Sequence, residues 1–357
     1  MSNRNLFLAG IILIALSIGV ISPTWAADGK DSVRVFILAG QSNMEGKAKN
    51  TLLDHQATSP ETKDFFAHLR DGDKWAVRDD VFIKYLKRNG PLTIGYGSPN
   101  RTGSELEFGH LMGEHFDEPV LLIKAAWGGH SLFKLFRSPS SGLPEEAALQ
   151  DMLEKAKAKV ERENKKNDRK KPLPTMQDIK EPFGSSYRNM MTEVNGTFEN
   201  YETMFPELKG KQLKLAGFFW FQGFNDKFGE FAPGEYEANM KRFIKDVRKD
   251  LKAPKLPFVI AAIANNGSKP AEGSSLTIRD AQMAMNKVPE FKGNIRAFRT
   301  DLLVDKAAEN LYPTWKQNIE QWQLTGSDHA YHYFGSAIWY TRIGRSAGEA
   351  MLELMSP

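Results

Sequence analysis

The chain has 357 residues, 41% of them hydrophobic and 26% charged, with a formal net charge of +4 and no cysteine. That length suits one large α/β domain or two small ones, and the composition excludes disordered, collagen-like and coiled-coil classes. Without cysteine there is no disulfide, thiol nucleophile or iron–sulfur cluster, so stability rests on a packed core.

Residues 1–27 read as a secretory signal peptide. Met1 to Asn5 is short and carries Arg4, Leu6 to Ile21 is apolar and uncharged, and Pro23-Thr24-Trp25-Ala26-Ala27 supplies a breaker and small residues for cleavage. The apolar run falls short of the ~20 residues that comfortably span a bilayer. The expectation is an exported protein, periplasmic or secreted, with residues 28–357 as its mature domain and no stable membrane span after cleavage. An uncleaved anchor is the alternative.

Val33 to Ala39 is a near-continuous apolar run and predicts a buried parallel strand. Gly40-Gln41-Ser42-Asn43-Met44 follows it directly. In open α/β sheets ligands sit beyond the carboxyl ends of the strands, which is where Ser42 falls. The motif is not the G-x-S-x-G elbow, because Met44 takes the last position. A strand-ending turn with a capping serine is the plainer reading.

Pro119 to Ala126 predicts a second strand, followed by Trp127-Gly128-Gly129-His130-Ser131. Paired glycines let a backbone N–H approach a ligand, as an oxyanion donor must; an ordinary strand-to-helix turn has the same composition. Asp151 to Pro174 predicts a charged helical surface insertion ended by Pro172-Leu173-Pro174. Lys155 to Lys171 holds nine Lys/Arg against Glu161, Glu163 and Asp168, a net of +6. Loss of Arg4 with the leader puts the mature chain at +3, so everything outside this segment sums to about −3. The basicity is local, and no nucleic-acid partner is expected.

Leu213 to Phe221 predicts a third strand, leading into Gln222-Gly223-Phe224-Asn225-Asp226. Buried amides need partners, and Asn225 is placed either to donate to an oxyanion or to make a turn. Tyr236, Met240, Phe243, Ile244, Val247 and Leu251 recur at helical spacing. Pro257 to Ala264 and the weaker Asn294 to Arg299 predict further strands, and Ile343 to Leu354 a last helix. Before that helix, Gly326-Ser327-Asp328-His329-Ala330-Tyr331-His332-Tyr333 places an acid and two bases within five residues. A serine nucleophile needs such a base, and the base an orienting acceptor. Strands alternating with helices imply a parallel sheet covered on both faces.

Taken in order, the segments after successive strands offer Ser, Gly, Asn, then Asp/His. They resemble the blocks of the SGNH/GDSL hydrolase superfamily, and more narrowly the sialate O-acetylesterase-like proteins and carbohydrate esterase family 6. Gly40 to Met44 matches the G-Q-S-N-M of that group, Gly129-His130-Ser131 its glycine block, and Gly223-Phe224-Asn225-Asp226 its G-x-N-D block. Trp220-x-Gln222-Gly223 is similar to W-x-Q-G, and Gly103-Ser104-Glu105 to G-P-E with serine in place of proline. The last block departs: Asp328 precedes His332 by four residues where D-x-x-H is usual, and His329 intervenes.

The resemblance implies a single three-layer α/β/α flavodoxin-like domain. It implies a serine acetylesterase acting on acetylated carbohydrate, sialic acid or polysaccharide, with Ser42 as nucleophile, His332 as base and Asp328 as its orienting acid. The oxyanion hole would be the backbone N–H of Ser42, that of Gly129 (Gly128 as substitute) and the Asn225 side chain. Gln41, Gln222 and His130 are candidates for substrate binding. No cofactor and no metal are expected, since no H-E-x-x-H or similar ligand cluster occurs. A lipid or aryl esterase, and a non-catalytic carbohydrate-binding protein on the same fold, are the alternatives.

Overall fold

The apolar runs become the strands of one sheet. The computed structural model describes residues 31–264 and 267–356; the expected signal peptide lies outside them. β1 (Ser32–Gly40), β2 (Val81–Tyr85), β3 (Arg88–Pro91), β4 (Val120–Ala126), β5 (Gln212–Phe221), β6 (Phe258–Ala262) and β7 (Ile295–Arg299) pair in the order β7-β6-β5-β1-β4-β2-β3. Every pairing is parallel except β2 with β3.

Seven helices matter for the argument: α1 (Ser42–Glu45), α2 (Glu105–His115), α3 (Glu146–Asn167), α4 (Ser185–Met204), α5 (Ala232–Asp250), α6 (Gly273–Ala284) and α7 (Ala337–Met355). Alternate residues of β1 face opposite ways. Phe36 and Leu38 join Phe108 and Met112 of α2 and Ile343, Ala347 and Met351 of α7 in one core. Val33, Val35, Ile37 and Ala39 join Met190 of α4, Phe243 and Val247 of α5 and Ile278 of α6 in the other. The result is the three-layer α/β/α arrangement.

The β2–β3 hairpin was not foreseen. Val81-Phe82-Ile83-Lys84-Tyr85 is a five-residue run, too short for periodicity to separate strand from helix. β3, Arg88-Asn89-Gly90-Pro91, is an edge strand with no large apolar side chain, and its proline is tolerated only there. Without this hairpin the order β4-β1-β5-β6-β7 is the 2-1-3-4-5 order of flavodoxin-like sheets, whose crevice opens where the order reverses, between β1 and β5.

α3 starts at Glu146, before the expected Asp151. Only Ala148, Leu149 and Leu153 are buried, in a satellite cluster with Phe133, Ile179, Phe183 and Ala232. Among the described residues no helix is long and apolar enough to cross a membrane.

One charged pair sits inside the fold. Lys124 of β4 and Glu105 of α2 have fully buried side chains 2.8 Å apart. The Lys124 ammonium also donates to the carbonyls of Glu45 (2.9 Å) and Tyr96 (2.8 Å), and Glu105 accepts the Gly103 N–H at 2.8 Å. Every ammonium proton is used, which is the condition under which a buried pair is tolerated. Burial pulls the Lys124 pKa below its usual value, against the Glu105 charge. Lys124→Met strands a buried carboxylate and should cost about 3–5 kcal/mol in denaturant unfolding. The double variant Lys124→Met/Glu105→Leu should recover much of that loss; if it is no more stable than Lys124→Met, the stranded charge is not the cause.

Candidate active site

β1 ends at Gly40 because nothing larger fits. A Cβ there would lie 2.1 Å from the carbonyl oxygen of Phe221, at the end of β5. The two strand ends therefore close to contact, and the next residues turn into α1. Ser42 begins that short helix and is 6% exposed.

His332 reaches Ser42 from the loop before α7. Its Nε2 lies 3.1 Å from Ser42 Oγ. Its Nδ1 lies 3.2 Å from Asp328 Oδ1, close but not aligned as a hydrogen bond. Asp328 Oδ1 also accepts the His329 N–H at 2.7 Å, and Oδ2 faces Arg101 Nη1 at 3.2 Å. Burial alone would raise the Asp328 pKa. The contacts with His332 and the His329 N–H, with the Arg101 charge behind them, reverse this and hold it below the ordinary value.

Asn225 follows β5 and meets Gln41, the residue before Ser42. Its Oδ1 accepts from Gln41 Nε2 at 3.2 Å, so its amino group is left to donate elsewhere. Gln41 Oε1 in turn accepts from the N–H groups of Gly223 (3.3 Å) and Asn225 (3.2 Å) and from Gln222 Nε2 (3.0 Å). Gly129, at φ +80, takes a left-handed conformation suited to glycine. A Cβ on it would lie 3.9 Å from Asn225 Nδ2, so the glycine loop and this amide face the same space. Among the described residues the Gly129 N–H has no hydrogen-bond acceptor. A serine beside an imidazole backed by a carboxylate, with unspent N–H donors across from it, is an arrangement suited to acyl transfer.

The family model for carbohydrate esterases of the sialic acid-specific acetylesterase type matches residues 32–167 and 182–306. The chain belongs to this family. No curated protein matches it significantly. Among solved structures it is similar to a protein from Arabidopsis thaliana, at 16% identity and TM-score 0.49 over 89% of this chain and 97% of that one. It is also similar to the carbohydrate acetylesterase XAC1771 from Xanthomonas citri, at 13% identity and TM-score 0.44 over 81% and 54%. NanS gives 13% identity and TM-score 0.41 over 77% and 79%.

In this esterase Ser42, His332, Asp328, Asn225 and Gly129 come together at the carboxyl ends of the sheet. Gly128 does not serve as a spare donor, because its N–H is bonded to Glu45 Oε1 at 2.7 Å. Burial would raise the Glu45 pKa, but Lys47, that N–H and Ser98 together lower it, so the acceptor stays charged. Gln41 and Gln222 are 1% exposed each and stand behind the site, not on its wall. His130 turns away, its Nδ1 2.6 Å from Ser186 Oγ and its ring against Trp127. His329 points outward, with Nδ1 3.4 Å from the Tyr312 hydroxyl.

Sequence reading missed Arg101, Glu45 and Asp226 as members of the site. Glu45 was visible only as the residue after the Gly40–Met44 motif, and Asp226 only as the last position of the G-x-N-D block, with no role of its own. Arg101 is 227 positions from Asp328 and gave no local signal.

Asp226 is fully buried and accepts from Leu132 N (2.9 Å), Phe133 N (2.7 Å) and Gln222 Nε2 (2.6 Å), tying the glycine loop to the end of β5. Burial outweighs these bonds and pushes its pKa up to about 6 from 3.8. Folded protein therefore holds a proton that unfolded chain releases between those values, so this group's contribution to stability falls as pH rises from about 4 to 6. The stability advantage of wild type over Asp226→Asn should shrink by roughly 2–3 kcal/mol between pH ~4 and ~6.5 in denaturant titrations. A constant gap would place the Asp226 pKa near that of an exposed aspartate.

Proposed function

We propose that this chain is an exported carbohydrate O-acetylesterase that hydrolyses acetyl esters on sugars, either sialic acid or an acetylated polysaccharide. The observation that carries the mechanism is the contact of Ser42 Oγ with His332 Nε2 at 3.1 Å, with Asp328 behind the opposite ring nitrogen.

Ser42 Oγ attacks the acetyl carbonyl carbon while His332 Nε2 takes its proton. Asp328 fixes the tautomer with the Nδ1 proton and offsets the charge of the imidazolium that forms. The carbonyl oxygen becomes an oxyanion facing the N–H groups of Ser42 and Gly129 and the Asn225 amino group. Collapse expels the sugar hydroxyl, which receives the proton from His332. A water, deprotonated by the same imidazole, then attacks the acetyl-enzyme and releases acetate. The 3.2 Å contact between Asp328 and Nδ1 tightens as positive charge develops on the ring. Export is supported by the leader-like residues 1–27 and by the chemistry of an acetylated extracellular glycan as substrate.

Acetate release from an acetylated sugar tests the assignment residue by residue. Ser42→Ala and His332→Ala should each lower kcat by at least about 10⁴ while leaving the folded circular-dichroism spectrum intact. Asn225→Ala, which removes one donor, should cost about 10²–10³, mostly in kcat. His329→Ala should keep most activity, because its ring faces Tyr312. A Ser42→Ala enzyme that retains more than a few per cent of wild-type turnover sinks the mechanism; a dead His329→Ala with an active His332→Ala moves the base.

A further inference from the structure

The proposed chemistry leaves one strongly charged surface unused, the outer length of α3. Lys155, Lys159, Arg162 and Lys166 recur at i, i+4, i+7 and i+11, which puts four cations in one row along the helix. At 1.5 Å rise per residue the row is roughly 16 Å long. Lys165 flanks it, and Arg169, Lys170 and Lys171 follow in sequence, with Lys171 folded back onto Asn164. Lys155 pairs with Asp151 at 2.6 Å and Lys171 with Glu163 at 3.4 Å. Lys159, Arg162 and Lys166 have no ion pair with an acid among the described residues.

The fold does not account for this row. Like charges three and four apart destabilise a helix, and the last buried residue of α3 is Leu153, with Ala156 the last to pack on the same cluster. The segment concentrates +6 on a chain whose remainder is about −3. Its root is informative: Leu149 and Leu153 pack on Phe133, whose N–H is held by Asp226 in the loop that carries Gly129. The arm thus springs from the segment after β4 that carries Gly129 and is held by Asp226.

We infer that the cationic row of α3 is a docking surface for an anionic polysaccharide, a glycan chain bearing carboxylate groups, held beside the esterase site. The outer segment from Lys155 to Lys171 contains no Trp, Phe, Tyr, Leu, Ile or Met. It has nothing to bury in a lipid surface and no ring on which a nucleic-acid base stacks. The segment presents a hydrated line of point charges, which is complementary to a hydrated polymer of regularly spaced carboxylates. The choice of a glycan as the polymer rests on the proposed acetylesterase function; the binding itself does not need catalysis.

The test uses the mature full-length protein and three probes: polygalacturonate, neutral dextran and phosphatidylglycerol vesicles. Wild type should bind polygalacturonate with an affinity that falls as salt rises, and should ignore dextran. The triple variant Lys159→Glu/Arg162→Glu/Lys166→Glu should bind about tenfold more weakly or worse, with kcat/KM on p-nitrophenyl acetate unchanged. Lys159→Arg/Lys166→Arg should bind like wild type. Undiminished binding by the triple variant, equal binding to dextran, or binding to vesicles without binding to polygalacturonate each overturns the inference. Failure of wild type to release acetate from any acetylated sugar, with polygalacturonate binding intact, would instead overturn the functional reading and leave the docking surface standing.

Discussion

One carboxamide joins the end of β1 to everything that follows β5. Gln41 gathers three donors on its oxygen, from Gln222, Gly223 and Asn225, and gives its own N–H to Asn225 Oδ1. The exchange with Asn225 is reciprocal, backbone N–H one way and side-chain oxygen the other. It fixes which end of the Asn225 amide is spent on Gln41 and which faces the glycine loop at Gly129. With the oxygen spent, only the amino group remains to face a developing negative charge. Gln41 is 1% exposed, and a network shielded from water is both stronger and costlier to leave unmade. A glutamate at this position could accept the same donors but could not donate to Oδ1, and the amide would lose the bond that sets its orientation. In the proposed mechanism the glutamine is therefore a requirement of the oxyanion side, although it does not touch it.

Carboxylates tie the remaining loops in the same manner. Glu45, at the end of the serine helix, takes the Gly128 N–H. Asp226, after β5, takes those of Leu132 and Phe133. Loops have few backbone partners of their own, and a buried N–H without an acceptor is costly. Acceptors from neighbouring loops satisfy the need and fix relative position. The bond from Gly128 to Glu45 also distinguishes two adjacent donors. It consumes one N–H of the glycine pair and leaves the next one, Gly129, facing Asn225.

Much of this was legible because the parallel strands are near-continuous apolar runs and each ends in a polar motif. Ser42, Gly129 and Asn225 stand just after the strands that carry them, and the Asp328–His332 pair stands just before α7. The hairpin of β2 and β3 was not legible, since a five-residue run and a polar edge strand offer no period. Lys124 was a readable anomaly: a lysine inside the run Pro119 to Ala126 demands a buried partner, and Glu105 of the Gly103-Ser104-Glu105 segment supplies it. Arg101 could not be found, because the contact between it and Asp328 exists only once the chain has folded. Gln222 and Asn225 stood out as buried amides in need of partners, and Gln41, offered only as a substrate-binding residue, is a partner of both.

The four-residue spacing between Asp328 and His332 has a backbone explanation. The segment is not a turn of α-helix. His332 has φ −109 and ψ 33, and Tyr333 and Phe334 follow in the left-handed region at φ 55 and φ 57. Two successive non-glycine residues there cost on the order of 1–3 kcal/mol each. The surroundings hold them. The Tyr333 hydroxyl is buried between the Ala264 N–H at 2.9 Å and Thr300 Oγ1 at 3.0 Å. The Phe334 carbonyl accepts the N–H groups of both Ser327 (2.8 Å) and Asp328 (2.9 Å). The reversal after His332 thus reaches back to grip the backbone of Asp328, while the carboxylate of Asp328 faces the His332 ring. Asp328 and His332, the acid and base of the proposed mechanism, are fixed by one strained turn. Strain of this kind persists only where its neighbours over-determine it, so the imidazole stands against Ser42 before any substrate arrives.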